Sequence, residues 1–120
     1  MEMVVNELQG RFWLNEEQTE ALRELGVNME LGSCIYNETD MQDGISLVEH
    51  RTLMLHDMLH ILEKSGVNVK LYQPLGTCGY VAQSIRYPEV QEEAQTPLDA
   101  VYKLLYRWAK ESSLPSQFLV

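Results

Sequence analysis

The chain has 120 residues, 45% of them apolar, and a formal net charge of -9. This length fits one domain, predicted over residues 1–120, with a core that needs no disulfide or structural metal ion. No run approaches the roughly 18 apolar residues of a membrane helix, and the acidic N-terminus lacks the basic start of a signal peptide, so a cytoplasmic protein is expected.

The negative charge is concentrated in the N-terminal part. Residues 1–49 contain eleven acidic and two basic residues, whereas residues 50–120 contain seven of each. Such a field repels phosphate, which argues against direct binding to nucleic acids or anionic membranes and favours a protein partner with a basic surface. Acidity that serves only solubility is the alternative.

The first predicted helix spans residues 16–25. Asn15 and Gln18 have the spacing of a capping box at its start, and Gly26 provides a left-handed stop. Residues 1–12 fit either a hairpin or a short helix, and the sequence does not decide between them.

A second helix is predicted over residues 47–65. Ser46 and Glu49 form another capping-box pattern, Gly66 provides the stop, and the apolar residues between them follow helical spacing. Arg51 falls within the apolar stripe, where its long stem would have to reach outward.

The third predicted helix begins at Thr96 and runs to about Glu111. The Thr96 hydroxyl can cap the helix, Pro97 suits the first helical position, and Asp99 suits the positive first turn. Its apolar stripe consists of Leu98, Val101, Leu105 and Trp108.

A repeated phrase predicts two of the strands. ALRELGVNMEL at residues 21–31 is similar to ILEKSGVNVKL at residues 61–71, and in both copies a glycine stop precedes alternating apolar and polar residues. We therefore predict strands over residues 27–36 and 67–74, and a returning strand over residues 80–87 after a turn.

The order of strand 27–36, helix 47–65 and strand 67–74 predicts a β-α-β unit with parallel strands, in which Glu30 would lie beside Lys70. The polar alternate positions indicate that only one face of the sheet is covered. The predicted fold class is α+β (mixed α/β), a small mixed β-sheet with about three helices packed mainly on one face.

HDMLH, residues 56–60, is the string closest to a catalytic motif. His56 and His60 are one helical turn apart and can bind one metal ion, and Asp57 stands where the zinc-protease pattern has its glutamate base. Aspartate is shorter than that base and no third ligand is apparent, so a solvated polar helix face or incidental surface binding of zinc or nickel is the alternative. No cofactor is expected.

Cys78 lies in GTCGY, a predicted turn whose glycine amides could lower the thiol pKa, but no histidine is near in sequence. A turn residue without chemical function is the alternative. Cys34 and Cys78 are expected to be reduced, with a single bridge between them as the other reading.

The candidate partner-binding residues are Glu16, Glu17, Glu20 and Glu24 on the first predicted helix. Residues four apart on a helix rise about 6 Å on the same side, so these carboxylates would form a row that can imitate backbone phosphates. The alternative is an ordinary solvated helix face.

Residues 112–120 form a C-terminal tail that ends in the apolar segment Phe118–Val120. A proline in this tail should stop the third helix. The apolar end is expected either to fold back over the core or to dock on a second subunit, which would make the protein a homo-oligomer.

Residues 47–111 resemble small phage-encoded proteins with an α-β-β-α sandwich. The likeness is carried by ILEKSGVNVKLY, YVAQSIRY and TPLDAVYKLLYRWAKE, whereas the acidic part, residues 1–46, has no counterpart there. The resemblance implies a phage or mobile-element origin and binding to host machinery, and it supplies no catalytic residues.

The sequence therefore predicts a non-enzymatic interaction protein, in its specific form a phage inhibitor that docks an acidic surface on a basic groove of a host protein, such as one that binds nucleic acid. The alternative is an oligomeric domain that binds a small ligand between sheet and helices, with a pocket lined by Tyr72, Tyr80, Tyr87 or Trp108. A metal-dependent hydrolase at His56 and His60 comes third.

Overall fold

The computed structural model describes residues 13–41 and 44–120, and in this part of the chain three helices and five strands form an α+β fold. The elements are α1 Glu16–Glu24, β1 Ser33–Met41, β2 Gly44–Thr52, α2 Leu55–Lys64, β3 Val69–Tyr72, β4 Tyr80–Ser84, β5 Gln91–Ala94 and α3 Pro97–Lys110. Short 3-10 helices lie at Met29–Leu31 and Ser116–Phe118. The predicted fold class is confirmed, while the question of hairpin or helix in residues 1–12 falls outside the described residues.

The body of the protein is an antiparallel sheet in the order β3-β4-β5, with helices on one face. Leu71 pairs with Ala82, and both belong to the face that packs against the core. On the opposite face Lys70, Gln91 and Glu93 are exposed. α3 supplies the largest share of the core with Leu98, Ala100, Val101, Leu104, Leu105 and Ala109.

The repeated GVN phrase ends α1 and α2 in the same way. Gly26 and Gly66 have φ values of +91° and +84°, a region in which a side chain would be strained. In the first copy the Gly26 N–H donates to the Arg23 carbonyl and the Val27 N–H to the Leu22 carbonyl, the hydrogen-bond pair of a Schellman motif. The second copy repeats these bonds one helix later, so the predicted glycine stops are confirmed.

The two copies diverge at the asparagine. Asn68 has a φ of +50° and leads into β3, which confirms the core of the second predicted strand. Asn28 instead caps the 3-10 helix, since its side chain accepts the Glu30 N–H. The strand predicted over residues 27–36 is therefore wrong in its first half, and β1 starts only at Ser33.

The second helix is shorter than predicted because residues 44–52 form β2. Ser46 and Glu49 lie in that strand and do not cap a helix. The helix starts at Leu55, and the carboxylate that accepts the Met54 N–H, at 2.9 Å, belongs to Asp57. Arg51, the misfit in the predicted apolar stripe, is thus a strand residue.

The predicted parallel β-α-β unit is wrong. β1 pairs antiparallel with β2 in a sheet of its own, and every strand pair among the described residues is antiparallel. Glu30 does not meet Lys70: its Oε2 atom lies 3.3 Å from Nε of Arg51. Lys70 lies on β3, with its Nζ atom 4.9 Å from the centre of the Tyr72 ring.

The C-terminal tail folds back over the core, one of its two predicted outcomes. Phe118 is 6% exposed, and its carbonyl accepts the Asn28 N–H at 2.9 Å. The Val120 N–H donates to the Gly26 carbonyl at 2.8 Å, so the tail closes the C-terminal end of α1. Within the apolar end Phe118–Val120, Val120 alone remains largely exposed.

Candidate functional site

The N-terminus of α1 is fixed by the predicted capping box. The Asn15 side chain accepts the Gln18 N–H at 2.7 Å, and the Gln18 side chain accepts the Asn15 N–H at 3.1 Å. Glu16 and Glu17 follow in the first turn, where the positive end of the helix dipole stabilises carboxylates. The cap therefore sets both the start and the rotation of the acidic helix.

The four candidate glutamates, Glu16, Glu17, Glu20 and Glu24, are all exposed on α1. They occupy the side of the helix away from Leu22, which is fully buried. Arg23 borders this row and its Nη1 atom lies 2.7 Å from Oε2 of Glu20. Both side chains are more than half exposed, so the pair contributes little to stability and leaves the row net negative. These four glutamates form the acidic face of the protein.

The opposite side of α1 is tied to the rest of the protein by polar contacts as well as by Leu22. The hydroxyls of Thr19 and Thr52 share a buried hydrogen bond of 2.7 Å, which joins α1 to the end of β2. The Gln18 side-chain amide donates to Oδ1 of Asp99 at 2.7 Å, which joins α1 to the start of α3. The acidic face is therefore held on a rigid support.

We expect Thr52→Val to lower the free energy of unfolding by about 1–3 kcal/mol, because it leaves the Thr19 hydroxyl buried without a partner. Adding Thr19→Val should recover most of that loss, since both hydroxyls are then gone. Denaturant unfolding of the two single variants and the double variant gives the coupling energy. Additive losses would contradict a hydrogen bond between the two side chains.

The root of the β1–β2 hairpin lies next to the acidic helix. Arg51, at the end of β2, pairs with Glu30 at 3.3 Å and donates to the Gly32 carbonyl at 3.4 Å. The sequence of the hairpin is also acidic. Residues 33–52 contain four acidic residues, Glu38, Asp40, Asp43 and Glu49, and one basic residue, Arg51. Sequence reasoning counted these acids but did not group them on one element.

The two histidines of HDMLH lie on the exposed side of α2. Asp57, the residue in the position of the base, accepts the Met54 N–H and the Ser33 hydroxyl, each at 2.9 Å. It also lies 3.2 Å from Nε2 of His56. Asp57 thus caps α2 and anchors the start of β1, and among the described residues no group of three metal-ligating side chains surrounds the histidines.

A shallow depression of about 680 Å³ lies between α1, the β3–β4 turn and α3. Gln18, Cys78, Glu93, Asp99, Tyr102 and Lys103 contribute to its lining. Partial burial, and then the neighbouring Tyr106 and Asp99, raise the pKa of Tyr102 above its usual value. At the edge of the depression, the Lys103 ammonium donates a hydrogen bond to the Glu93 carbonyl at 2.8 Å.

The aromatic residues expected to line a pocket lie elsewhere. Tyr72 is on the open face of the sheet beside Lys70, and Tyr87 is 40% exposed in the β4–β5 turn. Tyr80 and Trp108 are half-buried against the core. None of these four residues belongs to the lining of this depression.

Cys78 has an exposed free thiol in the β3–β4 turn, as the sequence predicted for its position. Cys34 lies on β1, at the register position opposite Arg51.

No helix among the described residues combines the length and the apolar character needed to cross a membrane. Comparison of the chain with models of known protein families, with curated proteins and with solved structures finds no match. The resemblance of residues 47–111 to phage α-β-β-α proteins accordingly stays a prediction.

Proposed function

We propose that this is a non-enzymatic, cytoplasmic interaction protein that binds a basic surface of a partner protein through its acidic face. The observation that carries the proposal is the arrangement of α1: four exposed glutamates occupy one side of a helix whose other side is held by Leu22, Thr19 and Gln18. Because these contacts anchor the helix, its backbone needs no further ordering when a partner binds, which lowers the entropic cost of association.

The charge of the surrounding chain supports the same function. Residues 16–52 contain nine acidic and two basic residues, so this segment carries -7 of the chain's net charge of -9. Both bases, Arg23 and Arg51, are paired with glutamates. The result is a negative field that steers a basic partner toward the acidic face and speeds association.

More specifically, the protein is a phage or mobile-element inhibitor of a host protein that binds nucleic acid. A row of carboxylates with about 6 Å between successive turns can occupy a groove built for backbone phosphates. The proposed phage origin is supported by the resemblance of residues 47–111 to phage α-β-β-α proteins. The proposed mode of binding is supported by the acidic face.

Capture of proteins from a host lysate tests this function. We expect the protein to retain basic proteins at about 0.05 M salt and to release them at about 0.5 M, because salt screens exposed charges. An α1 variant in which all four glutamates of the acidic face are changed to glutamine should retain them poorly at low salt.

The chain offers a matched control with the same net charge. This second variant carries Glu63→Gln, Glu89→Gln, Glu93→Gln and Glu111→Gln, all at exposed positions outside α1. It should capture the same proteins as the unmodified chain. If nothing basic is retained at low salt, or if both variants lose capture equally, the acidic face is not a binding site.

A second candidate function, binding of a small ligand by an oligomer, is supported by the depression beside α3. Its volume of about 680 Å³ falls within the usual range for ligand sites, and Asp99 and Lys103 supply both signs of charge. Ligand-induced stabilisation that does not depend on salt, measured by thermal unfolding over a panel of metabolites, would favour this function over the first.

A further inference from the structure

The outer side of α3 carries a row of cations. Lys103, Arg107 and Lys110 lie on the side of the helix opposite the buried Leu105. Lys103 and Lys110 are exposed, and Arg107 is half-buried. Residues three and four apart are neighbours on a helix surface, so these three side chains form one continuous row. They are the basic face of the protein.

Two tyrosines border the basic face. Tyr102 and Tyr106 are both half-buried, and their ring centres lie 6.0 Å apart. Both rings line a depression of about 500 Å³ together with the basic face, and Glu92 and Glu111 also contribute to its lining. Tyrosine and arginine are among the residues that contribute most to binding energy at protein interfaces, so this side of α3 has the composition of a docking surface.

The cations of the basic face can accept further partners. Nη1 of Arg107 lies 3.5 Å from Oε2 of Glu92, and its Nε lies 3.6 Å from Oε1 of Glu111. Both contacts are long, and a guanidinium has five N–H donors, so it can bond an additional carboxylate. Lys103 donates to the Glu93 carbonyl, and an ammonium has two further hydrogens to donate.

The acidic face of α1 has a charge spacing that matches the basic face. The cations follow one another along α3 at steps of four and then three residues, and the glutamates do the same when α1 is read backwards from Glu24. These steps correspond to rises of about 6 and 4.5 Å. An antiparallel pair of helices, α1 from one copy and α3 from another, therefore matches three anions with three cations. The pairs are Glu24 with Lys103, Glu20 with Arg107, and Glu17 with Lys110.

The centre of this alignment also fits by size. It places Ala21, a small half-buried residue, opposite the Tyr106 ring, and a small residue facing a large one lets two helices approach closely. A parallel alignment that begins with Glu17 beside Lys103 brings Ala21 opposite Arg107 and loses the central ion pair. The spacing therefore favours the antiparallel arrangement.

We infer that the basic face of α3 binds the acidic face of a second copy of this chain, with the two helices antiparallel. Exposed ion pairs each contribute little, so the contact is weak, reversible and sensitive to salt. The inference goes beyond the proposed function, because the same glutamates cannot bind a second copy and a basic partner at once. A partner must therefore displace the second copy.

Sedimentation velocity of the full chain measures this contact. At about 0.1 mM protein we expect reversible self-association at about 0.05 M salt and a monomer at about 0.5 M salt. The variant Lys103→Gln with Lys110→Gln should weaken self-association about tenfold, which corresponds to two exposed charge pairs. The matched variant Lys64→Gln with Lys70→Gln has the same net charge and should associate nearly as the unmodified chain does.

Two charge-swapped chains test the antiparallel register. Glu24→Lys with Lys103→Glu in one chain exchanges the members of a predicted pair, so self-association should remain close to that of the unmodified chain. Glu17→Lys with Lys103→Glu has the same composition and net charge, but it leaves like charges opposed at both ends of the row. This chain should associate more than tenfold more weakly. Circular dichroism checks that all variants keep the fold.

Each of three results would overturn the inference: a monomer at low salt, equal association of the two lysine variants, or equal association of the two charge-swapped chains. None of them bears on lysate capture, which concerns a different partner of the acidic face. Capture that fails while the charge-swapped chains behave as expected would overturn the proposed function and leave the contact between copies in place.

Discussion

Gly32→Ala is expected to lower the free energy of unfolding by about 3 kcal/mol, a cost at the upper end of that for overpacking. Gly32 ends the first 3-10 helix and passes directly over the end of β2. A Cβ atom there would overlap the Thr52 carbonyl oxygen and lie 2.9 Å from Cδ2 of Leu53. Since that oxygen belongs to the backbone, the hairpin root would have to shift. Urea unfolding followed by tryptophan fluorescence measures the loss.

Gly76→Ala is the control for this prediction. Gly76 has a φ of +79°, which strains any side chain, but no atom lies within 4 Å of an added Cβ. It should cost about 1–2 kcal/mol through backbone strain alone. Gly32 has a φ of -86°, which alanine adopts freely, so a large loss at Gly32 must come from the steric overlap. A loss no greater than that at Gly76 would contradict the close approach of Gly32 to the Thr52 carbonyl.

Leu22→Ala should lower the free energy of unfolding by about 2–5 kcal/mol. Leu22 is fully buried and is the only residue of α1 in the core cluster. Its removal leaves a cavity under the helix that carries the acidic face, and the lost transfer energy adds to the cost of that cavity. Thermal and urea unfolding give the size of the loss, and near-ultraviolet circular dichroism reports on packing.

The matched substitution is Leu31→Ala, which removes the same atoms at a position that is 46% exposed. It should change the free energy of unfolding by less than about 1 kcal/mol, because the half-exposed Leu31 side chain buries little apolar surface. Equal effects of the two substitutions would mean that α1 is not anchored through Leu22, and the rigid placement of the acidic face would lose its support.

The parts of the fold that the sequence predicted correctly depend on short-range chemistry. The Asn15–Gln18 capping box, the Thr96 cap and the two glycine stops each involve residues within a few positions of one another. The β3–β4 hairpin also follows from a local turn between two alternating segments. Such features can be predicted from one sequence because their partners are neighbours in the chain.

The β1–β2 hairpin was missed because two local patterns competed. Ser46 and Glu49 satisfy the spacing of a capping box, and the apolar residues after them satisfy helical spacing. The same segment contains β-branched residues at Ile45, Val48 and Thr52, which favour a strand. Pairing with β1 decided between them.

β5 was not predicted because its sequence, QEEA, has little preference for a strand. Two tertiary interactions stabilise it: pairing with β4 and packing of Ala94 against the core. The predicted parallel unit failed for a related reason. The repeated phrase specifies a helix end, and nothing within it specifies which strand lies beside which.

The acidic face was predictable because it required only the position of α1. The remainder of the candidate site was not, since it depends on residues distant in sequence. The Thr19–Thr52 bond joins elements 33 residues apart, and the Gln18–Asp99 bond joins elements 81 residues apart. The depression beside α3 likewise combines residues from three separate parts of the chain.

Titration of a fluorescent ten-lysine peptide into three forms of the protein tests the central claim most directly. The forms are the unmodified chain, the α1 variant without the four glutamates of the acidic face, and the control variant with four glutamates replaced elsewhere. The two variants have the same net charge, so any difference between them reflects position. At about 0.05 M salt we expect the α1 variant to bind about 30-fold more weakly than the unmodified chain, as four exposed charge pairs would give. The control variant should bind the peptide only a few-fold more weakly than the unmodified chain. Equal affinities of the two variants would contradict a binding site on α1.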